Sequence, residues 1–236
     1  MKNEKGIKLA GTVLGELFAV GTVLFLLATK QYDRLPLALG TLLLVLLPAG
    51  MERFFHCRIC LPVYIFGLLY AIGPMLGQCW KFYYTISWWD KLLHTCGGVM
   101  FAIVGAYFFE LLTKRKDNII ACAAFALCFS IALAAVWEFV EFGADRFLGM
   151  DMQDDTVVTH LTSYLLGDGV GVTGSIENIQ SVVVNGVPLP VNGYIDIGLA
   201  DSMLDMMLES LGALITCALL LVDKGRHPLI RDHRQK

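Results

Sequence analysis

The sequence predicts an all-α polytopic membrane protein with about six transmembrane helices and a long outer loop between helices 5 and 6. Three observations predict it. Of the 236 residues, 56% are hydrophobic and only 17% charged, an excess of apolar side chain that calls for lipid as a second solvent. Apolar segments of bilayer-crossing length recur along nearly the whole chain. The basic residues collect in alternate connections between them.

The apolar segments lie at about 9–29, 35–51, 59–80, 92–113, 118–144 and 202–222, and a helix needs about 20 residues to cross the hydrocarbon. The first follows Lys2, Lys5 and Lys8 and is too long for a signal-peptide core, so it reads as a retained span. The second is the shortest and contains Pro48. With the N-terminus in the cytoplasm, six alternating spans put Lys2, Lys5, Lys8, Arg53, Arg58, Lys114, Arg115, Lys116, Lys224, Arg226, Arg231, Arg234 and Lys236 inside. Only Lys30, Arg34, Lys81, Lys91 and Arg146 fall outside. That asymmetry predicts a multi-pass protein of the cell membrane with both termini cytoplasmic.

The whole chain, 1–236, reads as one integral membrane domain. It carries an extracytoplasmic insert at 145–201, which is acidic and glycine-rich. Within the insert, Ser181–Val184 and Val187–Leu189 flank Asn185-Gly186, a hairpin signal, with Pro188 and Pro190 confining any strand to an edge. The net charge of −3 and the lack of a basic stripe exclude a nucleic-acid partner. Seven scattered cysteines form no disulfide framework. His56-Cys57-x-x-Cys60 lacks the second pair of ligands that a zinc site needs.

Ionisable groups inside a membrane are costly, and are commonly paired or functional. Asp90 and His94 share a face at the start of the fourth span. Glu138, Glu141 and Asp145 share one late in the fifth, and Asp201, Asp205 and Glu209 share one early in the sixth. In the predicted topology all three groups fall at one depth, with Glu138 and Glu209 roughly 10 Å below the outer helix ends. Seven carboxylates and one imidazole at one level need cations. Asp90, His94, Glu138, Asp201 and Asp205 are candidate ligands for a divalent metal, Mg²⁺, Mn²⁺ or Zn²⁺. Glu141 and Glu209 are candidate general bases. The plainer alternative is that Asp90, Asp145 and Asp201 meet water at helix ends, where Asp90 and Asp201 also suit the helix dipole. Glu16 sits near mid-span without an evident partner, Glu110 lies within reach of Lys114–Lys116, and His160 reads as solvated. Gly97, Gly98, Gly105, Ala106, Gly212 and Ala213 allow the fourth and sixth helices to approach closely.

These segments resemble the YjdF-like family of bacterial multi-pass membrane proteins. The resemblance rests on Trp89-Asp90-x-x-x-His94 with Gly97-Gly98, on Glu138-x-x-Glu141 and Gln153-Asp154, and on Asp201-Ser202-x-x-Asp205-Met206 with Leu211-Gly212-Ala213. The arrangement is distantly similar to VanZ-like proteins, which also place acids at helix ends. The long insert before Asp201 departs from the compact family pattern. The resemblance implies an integral membrane location and supplies no reaction. Three functions compete: a metal-dependent enzyme acting on a lipid or lipid-linked substrate, a cation- or proton-coupled transporter, and a non-enzymatic membrane partner.

Overall fold

The computed structural model describes residues 2–114, 118–223 and 230–232. Its helices, in chain order, are α1 (Lys2–Ala28), α2 (Leu35–Phe54), α3 (Leu61–Cys79), the short α4 (Phe82–Thr85), α5 (Trp89–Thr113), α6 (Ile119–Leu148) and α7 (Leu199–Asp223). All but α4 are long and apolar enough to cross a membrane, which gives six candidate spans among the described residues. The protein is therefore a polytopic helical membrane protein. Leu9, Leu14, Leu43 and Phe139, all well exposed, belong to the apolar surface that a bilayer covers.

Local chemistry sets the helix ends. Pro36 and Pro62 occupy the first turns of α2 and α3, where a missing N–H costs nothing. The Asn118 side chain accepts from Ala121 N–H at 3.0 Å to cap α6. Asp196 does the same for α7, accepting from Leu199 N–H at 3.2 Å and Ala200 N–H at 2.8 Å. Capping carries α7 three residues beyond the apolar segment, and α6 likewise runs on to Leu148.

The chain forms two compact units. The first comprises residues 1–134 and 208–236. Its core has three clusters. Val45, Tyr64, Leu68, Ile103 and Tyr107 centre one, Ala19, Leu26, Ala38 and Met75 the second, and Ala106, Cys122, Ala126 and Cys217 the third. At one end Lys8 is buried, its ammonium 2.6 Å from Glu52 Oε1, bonded to the Ile59 carbonyl and 4.9 Å from the Tyr64 ring centre. Cys57 lies on strand β1 (Cys57–Ile59), which pairs antiparallel with β8 (Ile230–Asp232). The predicted link from Glu110 to Arg115 and Lys116 lies outside the described residues.

The second unit comprises residues 135–207. The expected hairpin is there: β5 (Val183–Val184) pairs with β6 (Val187–Pro188). Asn185 and Gly186 turn it with φ of 52° and 83°, the left-handed pair that a two-residue turn requires. Two further ladders lie outside the predicted elements. Strand β2 (Thr156–Val158) pairs with β7 (Tyr194–Asp196), and β3 (Leu161–Ser163) pairs with β4 (Gly174–Ile176). Three-residue strands carry too few alternations to stand out from a polar loop.

Candidate functional site

In the first unit, α5 begins with a polar turn. Trp89 donates its indole N–H to the Gly73 carbonyl at 3.2 Å, which fixes this turn against α3. Asp90 follows, with Lys91 Nζ 3.0 Å from its carboxylate. One turn later His94 is 8% exposed. Its Nε2 lies 3.6 Å from Asp90 Oδ1, and its Nδ1 lies 3.8 Å from Glu209 Oε2.

Small residues bring Glu209 to His94. A Cβ on Gly98 would stand 1.8 Å from the Glu209 carbonyl oxygen, and one on Gly212 would stand 2.2 Å from the Thr95 carbonyl oxygen. The backbones of α5 and α7 therefore touch, as the glycines at 97, 98 and 212 predict. Ser130 on α6 donates to the Gly98 carbonyl at 3.2 Å, tying a third helix to the same turn.

Tyr70 is a neighbour that the sequence reading passed over. Its hydroxyl would lie 2.8 Å from a Cβ on Gly97, and the Glu209 carboxyl carbon 3.7 Å from the same point. A single tyrosine in an apolar span gives little warning, since its ring serves packing equally well; here it meets Phe101 edge to face at 6.2 Å.

In the second unit, Glu138, Glu141, Asp201 and Asp205 are all buried, Asp205 to 1% exposure. Trp137 donates its indole N–H to Glu141 Oε1 at 2.8 Å. Asp201 accepts the Asp154 backbone N–H at 3.0 Å, and Gln153 bonds the Ser202 hydroxyl. Gln153 and Asp154 thus hold the start of α7, despite the insert that separates them from it in sequence.

Asp145 shares the α6 face of Glu138 and Glu141 and has backbone partners of its own. Its two oxygens accept the backbone N–H groups of Met152 and Gln153 at 2.6 and 2.9 Å, so it closes the turn after α6. His160 is exposed, and its contacts are surface ones: Nδ1 lies 2.6 Å from Glu177, and Nε2 is 2.9 Å from the Thr162 hydroxyl. Outside the spans, the exposed Asp155 has its pKa raised, first by slight desolvation and then by Asp151, Asp196 and Asp145.

An uncharacterized protein of Thermotoga maritima is 30% identical to this chain over 80 residues, 33% of this chain and 40% of that protein. The chain thus spans well under half the length of this curated relative. No solved structure matches. The family described as "Predicted membrane protein (DUF2238)" matches residues 10–226, nearly the whole six-span region, and the chain belongs to that family.

Proposed function

We propose that this is a metal-dependent membrane enzyme acting on a lipid or lipid-linked substrate. Its cation is held by Asp90, His94, Glu138, Asp201 and Asp205. The observation that carries the reading is the buried His94 ring with a carboxylate beside each nitrogen. Ligand atoms sharing one tetrahedral ion on bonds of about 2.0–2.1 Å stand about 3.4 Å apart. The 3.6 Å between Asp90 Oδ1 and His94 Nε2 is close to that spacing and is long for a hydrogen bond. Helical periodicity sets Asp205 one turn from Glu209 on the same face of α7. Oxygen ligands with one imidazole fit Mg²⁺, Mn²⁺ or Zn²⁺.

A divalent ion in such a set supplies Lewis acidity to an ester or phosphate oxygen. Glu141, which accepts the Trp137 indole N–H, is the candidate base that remains, because Glu209 is taken up beside His94. The charge asymmetry of the loops supports a cell-membrane location with cytoplasmic termini, and hence a site towards the outer leaflet. Metal analysis of the purified protein tests the reading. Wild type is expected to carry close to one divalent ion per chain, and Asp205→Asn and Asp90→Asn much less. A metal-free wild type whose melting temperature ignores Mg²⁺, Mn²⁺ and Zn²⁺ would overturn it.

A second reading, a cation- or proton-coupled transporter, draws on one observation. Asp90, His94 and Glu209 form a line of ionisable groups across helices that the bilayer surrounds. Cation or proton flux into vesicles holding the purified protein, without turnover of any lipid, would select it.

A further inference from the structure

We propose that Glu209 and Tyr70 are positioning residues, a buried arm that aims the His94 ring at its cation. The proposal rests on the metal-site reading above. A histidine that ligates a metal commonly donates its other ring N–H to a carboxylate, which fixes the ring's orientation and raises its basicity. Glu209 stands on that side of the ring, with Oε2 3.8 Å from Nδ1 while Nε2 turns to Asp90, a separation that one water bridges.

Glu209 itself needs holding. It is 3% exposed, and its Oε1 is buried without a hydrogen-bond partner among the described residues. A buried carboxylate oxygen lacking a donor is costly. A neighbouring donor is the Tyr70 hydroxyl: it and the Glu209 carboxyl carbon lie 2.8 and 3.7 Å from the place that a Cβ on Gly97 would take. A Cβ at position 97 would lie 2.8 Å from that hydroxyl and push it away. Gly97 therefore has a role apart from that of Gly98: it leaves room for Tyr70 O–H to reach Glu209 Oε1 through one water. The order is Tyr70 to Glu209 to His94 to cation, with Asp90 on the far side.

The test uses the full-length protein in detergent, titrated separately with Mn²⁺ and Zn²⁺ by calorimetry. Tyr70→Phe removes one oxygen and keeps the ring against Phe101. It is expected to weaken metal binding about 10-fold, and Glu209→Gln about 10- to 100-fold, the range for residues that orient a ligand. The melting temperature of metal-free Tyr70→Phe should stay within a few degrees of wild type. Because the two act in series, the double variant should bind no more weakly than Glu209→Gln alone. Gly97→Ala, which displaces the hydroxyl without removing it, should mimic Tyr70→Phe and add nothing to it.

Wild-type affinity in Tyr70→Phe, or losses that multiply in the double variant, would overturn the arm and leave the metal site standing. A wild type that takes up neither ion, alongside an equally silent Asp90→Asn, would overturn both.

Discussion

The α-carbon of Gly98 faces the carbonyl oxygen of Glu209 so closely that a methyl group there would stand 1.8 Å from it. The contact joins packing to chemistry. The residue whose backbone meets Gly98 is the one whose side chain reaches His94. Between helices in lipid, close backbone approach replaces the hydrophobic drive that acts in water.

Gly98→Ala should therefore separate α5 from α7 and cost about 3 kcal/mol or more, the upper range for overpacking. Gly212→Ala, aimed at the Thr95 carbonyl, should behave similarly. Gly21→Ala is the control, because nothing lies within 4 Å of a Cβ there. It should be neutral, or stabilise α1 by about 0.5–1 kcal/mol. Melting in detergent micelles measures all three, and a Gly98→Ala protein that melts like wild type contradicts the contact.

Much of this was legible in the sequence because lipid leaves few solutions. The six spans follow from length and apolarity, and the meeting of α5 and α7 from Gly97, Gly98 and Gly212. Burial of His94, Glu138, Asp205 and Glu209 follows from their shared helical faces. For Asp145, i, i+4 spacing shows which face it occupies and not what the following loop offers it. Two backbone N–H groups from residues 152 and 153 claimed it. Gln153 and Asp154 meet Ser202 and Asp201 across an insert that no local period spans. The Lys8 ion pair escaped notice because a lysine beside the N-terminus reads naturally as a topology signal.

That lysine carries a second prediction. Lys8 Nζ bonds Glu52 at 2.6 Å, and Glu52 Oε1 also accepts the Ile59 N–H at 2.8 Å. Lys8→Met would strand the carboxylate. A loss of about 3 kcal/mol is expected, the lower end for breaking a buried pair, because Glu52 keeps partial exposure. Adding Glu52→Leu should restore part of it, since an apolar pair carries no uncompensated charge. Melting temperatures of the single and double variants decide the point; a double variant less stable than Lys8→Met contradicts it.

The β5–β6 turn gives a local prediction. Gly186 has φ of +83°, where a side chain costs about 1–2 kcal/mol. Gly186→Val should loosen this hairpin alone. Amide exchange of Leu189, whose N–H donates to the Val182 carbonyl at 2.8 Å, should quicken several-fold. The ladder between β2 and β7 should keep its protection. Loss of protection in both would mean that the ladders open together.

The acidic loop should respond to pH through Asp155. Its pKa is raised by slight desolvation and by Asp151, Asp196 and Asp145, so the folded loop binds the proton more readily than the unfolded chain does. The resulting stability is fully present below the ordinary aspartate range. It is lost as pH rises through the raised folded value, so at neutral pH the ionised group opposes the fold. Asp155→Asn should therefore protect the β2–β7 ladder more than wild type does at pH 7. It should also flatten the change in protection between pH 4 and pH 7. The effect should be small, because Asp155 is exposed and solvent screens its neighbours. Protection factors for Val157 and Ile195, corrected for intrinsic exchange, measure it, and equal pH dependence in the two proteins would remove Asp155 as its source.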